Sequence, residues 1–233
     1  MNKPSSQHHI KAFLRTNVIF VLCLLLAGLF AAKPVCAQRI TTWAGLQAAL
    51  DENNDGGTVK LTRNITASAN DGPLKIRGTV TLDLNSYTIS RNLSQAASAA
   101  KVDGNVITVY GNLTIVDTSM RKPGKITGGN NKGNGGGVLV SAGKLTINRG
   151  TISGNSANIG GGVYLEKNNE LKSEFTMNGG KIYNNKAERG GGVYLFGAYK
   201  EDTKDYTSEF TMNGGTIDNN AANDYGGGVY VNT

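Results

Sequence analysis

Beyond residue 37 the sequence contains no histidine and no cysteine; His8, His9, Cys23 and Cys36 all precede that point. Residues 1–37 in turn contain no acid. They open with a polar stretch carrying Lys3, Lys11 and Arg15, continue through an apolar run over 18–32, and end on Val35-Cys36-Ala37. This is the layout of a secretory signal peptide, with cleavage expected after Ala37. The run of 15 apolar residues falls short of the roughly 20 that a bilayer-spanning helix needs, so a retained anchor is the alternative and not the main reading. Cys23 lies inside the run and Cys36 follows Pro34-Val35, so neither occupies a lipid-attachment motif.

The exported chain therefore has no disulfide, although its route permits one. Catalysis by Cys–His or Ser–His–Asp is excluded, as is zinc bound through His or Cys. Carboxylates, lysine, arginine, tyrosine and hydroxyls are what remain for chemistry. The formal charge of +7 is also partly a property of the leader, which takes four of the 24 bases; the rest of the chain has 20 bases against 17 acids, a net +3. No Lys/Arg-rich block remains, so nucleic acid is not expected as a partner.

Proline is scarce (four residues) while glycine is abundant (32), and asparagine recurs beside it, which together call for many tight turns. The glycines are periodic. GGG occurs at 135–137, 160–162, 190–192 and 226–228, spaced by 25, 30 and 36 residues. Each is followed by a β-rich triplet: Val138-Leu139-Val140, Val163-Tyr164-Leu165, Val193-Tyr194-Leu195 and Val229-Tyr230-Val231. A second triplet recurs as Leu145-Thr146-Ile147, Phe175-Thr176-Met177 and Phe210-Thr211-Met212, and a third element carries Ile152, Ile182 and Ile217. The phrase EFTMNGG itself stands at both 174–180 and 209–215.

From the second triplet to the next GGG the distances are 15, 15 and 16 residues; from GGG to the second triplet they are 10, 15 and 20. One part of the unit is fixed and the other expands, at 141–144, 166–174 and 196–209. Insertions confined to one place in a repeat map to loops on one face of a solenoid. Strands this short bury their apolar side chains only by stacking on the next copy. The expected fold is all-β: a single-stranded parallel β-helix with three short strands per turn. Alternation points Phe175, Met177, Val163 and Leu165 inward and Thr176 and Tyr164 outward. An antiparallel sandwich is the alternative, but it calls for hairpin pairs of similar length. Looser copies run upstream through Gly57, Gly78, Gly104, Gly111 and Gly124, and 92–103 reads as a small-residue loop. Thr42 or Thr41 caps a short helix whose apolar face is Trp43, Leu46, Ala49 and Leu50; it covers the N-terminal end of the solenoid. The resulting division is a signal peptide over 1–37, a cap with a helix over 38–56, and the β-helix over 57–233. The last GGG opens a turn that Thr233 does not complete, so the chain is expected to be a fragment of a longer surface protein.

This organisation resembles the pectin-lyase-like right-handed parallel β-helix superfamily, over most of residues 41–233. Gly179-Gly180-Lys181-Ile182 and Gly214-Gly215-Thr216-Ile217, with Phe175-Thr176-Met177-Asn178 and Phe210-Thr211-Met212-Asn213, also resemble the GG-x-I and F-x-x-N elements of polymorphic outer-membrane adhesins. The resemblance implies right-handed winding. It also raises two activities, since the superfamily includes calcium-assisted polysaccharide lyases and hydrolases with clustered aspartates.

Against that expectation Asp83 and Asp117 are the acids to consider, on neighbouring turns, with Arg121, Lys122 and Lys125 close in sequence to the second. Their ordinary role is as solvated or turn-capping residues, and no paired-acid signature accompanies them. Among the acids of the corner insertions, Glu201, Asp202 and Asp205 offer oxygen ligands to calcium without the spacing of a calcium loop, so no cofactor is expected. The column after GGG places Tyr164, Tyr194 and Tyr230 one above another as an aromatic strip, extended by Tyr199 and Tyr206 of the long insertion; the alternative is cross-turn stacking that supports the sheet. The function expected is that of a secreted or cell-surface module with a structural or adhesive role, binding a glycan or a partner protein. A polysaccharide lyase acting on acidic polysaccharide is the alternative.

Overall fold

A computed structural model describes residues 40–93, 99–166, 172–196 and 208–232. Ile40–Thr233 form one compact unit. Residues 1–39, including the expected signal peptide, lie outside the described residues, as do Tyr199, Tyr206, the 201–205 acids and residues 94–98 of the 92–103 loop.

The cap comes first. One helix, α1, spans Trp43–Glu52. Thr42 Oγ1 accepts the N–H of Gly45 at 3.0 Å, satisfying a donor that the first turn leaves open. The buried face is Trp43, Leu46, Ala49 and Leu50, as the apolar spacing predicts. At the far end Asn53 Nδ2 donates to the carbonyl of Ala49 at 2.8 Å. Gln47 protects the edge of the sheet below it. Its Nε2 donates to the Lys75 carbonyl at 2.9 Å and its Oε1 accepts the Lys75 N–H at 2.7 Å, as a neighbouring strand would.

Below the cap the chain winds through six coils and builds parallel sheets. The first sheet stacks Asp55–Lys60, Thr79–Asp83, Asn112–Val116, Gly143–Ile147, Ser173–Met177 and Glu209–Met212. The second stacks Ile65–Thr66, Thr88–Ser90, Lys125–Thr127, Thr151–Ser153, Lys181–Tyr183 and Thr216–Asp218. The third stacks Leu74–Ile76, Ile107–Val109, Val138–Val140, Val163–Leu165, Val193–Phe196 and Val229–Asn232. Register places like on like: Leu145 meets Phe175, which meets Phe210, and Ile152 meets Ile182, which meets Ile217. The Phe175 and Phe210 rings stack with centroids 4.8 Å apart.

Three strands per turn holds only for the first coils. From the third coil onward a fourth sheet intervenes, built from Asn130–Asn134, Ser156–Ile159, Lys186–Arg189 and Ala221–Tyr225. Its inward side chains are small, Ala157, Ala187 and Ala222, so the apolar signal that marks the other strands is weak there. The extra strand lies within the 15–16-residue part of the repeat that does not vary. That constancy has a cause: two strands and their bends are locked to the coils on either side, and an insertion would break both.

The GGG triplets show how tight the stacking is. Gly160 takes a φ of +68°, which favours glycine. At Gly162 the φ is ordinary, but a Cβ would lie 2.5 Å from the carbonyl oxygen of Gly192 in the next coil. The triplet is a place where coils touch backbone to backbone. It is not a ligand-cradling loop.

Candidate functional site

The tyrosine column exists, but it is not an open strip. Tyr164 pairs with Tyr194, and Tyr194 with Tyr230, in consecutive coils. The ring centroids are 5.4 and 5.3 Å apart. Tyr164 is 3% exposed and Tyr194 1%. Phe196 packs edge-on against both, at 6.2 and 5.4 Å, in place of the solvent that strand alternation predicts there. Burial pushes the Tyr164 phenol above its usual range, and the charge of Glu166 and the neighbouring Tyr194 push it further. Tyr194 moves the same way through burial and Tyr230, opposed by Arg189. Both phenols stay neutral in ordinary solution. Tyr230 is half-buried, and Tyr225, which stacks on it at 5.8 Å, is 59% exposed. The accessible aromatic surface among the described residues of this column is therefore Tyr225 with Tyr230, not Tyr164 with Tyr194.

Asp83 and Asp117 do lie on neighbouring coils, but neither is solvated. They are 2% and 4% exposed. Asp83 accepts the N–H of Asn85 and of Thr118, both at 3.0 Å, the hydroxyl of Thr118 at 2.6 Å, and the ammonium of Lys60 at 3.2 Å. Asp117 accepts the N–H of Ser86 across the coil boundary, of Ser119 at 3.1 Å and of Gly124 at 2.5 Å. These two carboxylates act as clamps that tie bend to bend, with their oxygens occupied. Burial alone would raise the Asp83 pKa, but the bonds from Thr118, Lys60 and Asn85 outweigh it and hold the carboxyl below its ordinary value.

The sign of the pH dependence follows. A depressed folded pKa contributes stability above the unfolded value, near 4, which is lost as pH falls through the lower folded value. Asp83→Asn should cost about 2 kcal/mol at pH 7, and the gap to the parent should narrow as pH is lowered below about 4. Urea unfolding midpoints across that range test it; a constant gap would refute the clamp.

Two asparagine ladders run along the solenoid. The exposed one joins the asparagines of the repeated phrase. Asn178 Nδ2 donates to Asn148 Oδ1 at 2.9 Å, and Asn213 Nδ2 to Asn178 Oδ1 at 2.8 Å. The second ladder is buried and was not anticipated from the sequence. Asn185 Oδ1 accepts both the backbone N–H and the side-chain amide of Asn155, at 3.1 and 3.0 Å. Asn220 does the same for Asn185, at 3.0 Å twice. Each ladder amide also reaches a carbonyl of the preceding coil: Ile126, Ile152 and Ile182. The residue before each ladder member takes a left-handed conformation, with φ of +65° at Gly154, +54° at Asn184 and +52° at Asn219. The signal that could have found it is the recurrence of Asn155, Asn185 and Asn220 three residues after Ile152, Ile182 and Ile217.

Arg91 is a further buried polar residue that the sequence did not single out. It is 2% exposed, with its guanidinium 5.9 Å from the Trp43 ring centre and its Nε donating to the Asn105 carbonyl at 3.1 Å. It joins the cap helix to the second and third sheets.

The variable corner leads from the third sheet back to the first. It is two residues long at 141–142, seven at 166–172 and twelve at 197–208. The described feet of the two long insertions are bound to each other and to the sheet. Ser208 donates its N–H to Phe196 O at 3.2 Å and its hydroxyl to Glu166 O at 3.3 Å, while Ser173 Oγ donates to Val140 O at 3.2 Å.

Among the described residues no group of three or more acids gathers in a metal-binding arrangement, and no helix is long and apolar enough to cross a membrane. Comparison with family models, with curated proteins and with solved structures gave no match. The likeness to β-helix enzymes and adhesins thus rests on the repeat motifs, while the parallel β-helical architecture rests on the sheets themselves.

Proposed function

We propose that the protein is a secreted or cell-surface display module: a rigid β-helical rod that presents the 166–172 and 197–208 insertions to a glycan or partner protein. The observation that carries this reading is where the chain length varies. Along the last four coils the strands and bends keep their register, while the corner from the third sheet to the first lengthens from two residues to seven and then twelve. A solenoid that must hold its stacking can vary only where the chain leaves it, and loops carried on a rigid scaffold are the usual place for binding residues. Tyr199 and Tyr206, in the longest insertion, supply the aromatic faces that glycans and protein surfaces use, and Tyr225 with Tyr230 supply another on the scaffold.

Replacing 197–207 with a two-residue connection like that at 141–142 should abolish binding on a glycan array or to host cells, with the circular dichroism spectrum retained. Tyr199→Ser with Tyr206→Ser should weaken it about tenfold or more, the loss of two aromatic anchors. Undiminished binding by the shortened chain would remove the insertions from the function.

A further inference from the structure

The corner between the first and second sheets carries cations and an exposed apolar side chain that the fold does not use. In the third coil this corner joins Asn112–Val116 to Lys125–Thr127. Asp117 sits at its base and accepts the N–H groups of Ser119 and Gly124, and Arg121 N donates to Ser119 Oγ at 3.1 Å. These bonds fix both feet of the corner. Between them Met120 is 92% exposed, the most exposed large apolar side chain among the described residues. Arg121 and Lys122 follow it directly, both exposed. Lys125 begins the adjoining strand and pairs with Thr151 of the next coil, two residues beyond Arg149.

Arg121, Lys122, Lys125 and Arg149 have no ion pair among the described residues. The nearby acids do not compensate them. Asp117 is buried with its oxygens bonded to backbone N–H groups, Asp83 is held by Lys60 at 3.2 Å, and Asp218 lies three coils further on, 3.1 Å from Lys181. The result is a projecting thioether followed directly by two exposed cations, with two more, half-buried, at the start of the adjoining strand and in the next coil. Single-stranded nucleic acid is held by a basic groove interleaved with aromatic rings, and sugars by aromatic platforms; here the aromatic residue of the corner in the preceding coil, Tyr87, whose carbonyl accepts the Lys125 N–H at 3.1 Å, packs against the core. An apolar tip flanked by long basic side chains suits a lipid interface. There the tip enters the boundary of the acyl chains while the cations meet anionic headgroups.

We propose that the 119–125 corner, with Arg149, docks the solenoid side-on against an anionic lipid bilayer. The surface is separate from the insertion corner, which lies between the third sheet and the first, so either can fail without the other.

The test is co-sedimentation of the chain starting at Gln38, which contains the compact unit but not the apolar run of 18–32. It is run with vesicles of phosphatidylcholine alone and of an equal mixture with phosphatidylglycerol. Binding is expected to the mixture only and to weaken as salt is raised. Each cation near an anionic surface contributes about fivefold, so Arg121→Gln with Lys122→Gln should lower the partition coefficient about twenty-fivefold. Met120→Ser should lower it severalfold at unchanged charge, and both variants should keep the parent thermal melt because the side chains are exposed. Equal binding to both vesicle types, or no loss in either variant, would overturn the proposal. So would retention on soluble polygalacturonate with no sedimentation by anionic vesicles, which would assign the cations to a glycan.

Discussion

Replacing Gly162 with alanine is expected to break the solenoid between its fourth and fifth coils. The new Cβ would stand 2.5 Å from Gly192 O, 2.9 Å from Ile182 Cγ2 and 3.1 Å from Asn185 Nδ2. The first neighbour is backbone, held in turn by the Val163 N–H at 2.9 Å, so it cannot swing aside as a side-chain tip would. Relief requires the coils to part, which breaks the parallel pairing on both sides of the contact. The loss should exceed about 4 kcal/mol, in the range reserved for overpacking that a core cannot absorb. Because coils contact only their neighbours, the damage should stay local: hydrogen exchange should accelerate over 155–196 while the cap and first coils keep their protection. Gly133→Ala is the control. Its Cβ would meet only Asn131 Oδ1 at 3.7 Å, and its φ is not in the left-handed region, so its effect should stay within about 0.5 kcal/mol. Equal effects at the two positions would mean that glycine serves chain flexibility here and not coil contact.

Stacking of coil on coil also decides which parts of the fold are legible in the sequence. The positions of Val163, Leu165, Phe175, Met177, Ile152 and their equivalents followed from alternation, because an inward side chain in a parallel stack must be apolar in every copy. The helix followed from its cap and four apolar residues. The fourth strand was hidden because alanines face inward from it, and a strand without a large apolar side chain looks like a turn. Alternation turns Tyr164 and Tyr194 away from the core and leaves open whether they form an accessible strip or stack to support the sheet; the stacked, buried rings are the second case, and the rule describes one sheet without saying what covers its outer face. Of the two ordinary roles open to Asp83 and Asp117, turn capping holds, through Asn85 and Ser119; solvation does not, because further donors, such as Thr118 for Asp83 and Ser86 for Asp117, come from another coil, more than 30 residues away in each case. Local pattern gave the walls of the solenoid, and coil-to-coil chemistry had to be seen.

Asparagine 185 is where that chemistry should cost most to remove. Asn185→Ala takes away the acceptor of both the Asn155 N–H and its side-chain amide, and strips the Ile152 carbonyl of a donor, in a position that is 1% exposed. Buried polar groups left without partners cost about 1–3 kcal/mol each, so the loss should reach about 3–5 kcal/mol. Asn178→Ala removes a geometrically similar rung from the exposed ladder, where water replaces the lost bonds, and should cost under about 1 kcal/mol. Asn185→Asp separates hydrogen-bond geometry from size. Its carboxylate can still accept from Asn155, but it has no hydrogen to give Ile152 O and it places a charge beside Asn220 Oδ1. Burial should raise its pKa, so the neutral acid, which regains a donor, is favoured as pH falls. The Asn185→Asp variant should therefore gain on the parent between about pH 7 and pH 5, above the window in which Asp83 begins to lose its contribution. Urea midpoints for Asn185→Ala, Asn178→Ala and Asn185→Asp, read at both pH values, separate a buried ladder that sets coil register from asparagines that merely fill a turn. The second account predicts small, equal losses and no pH dependence.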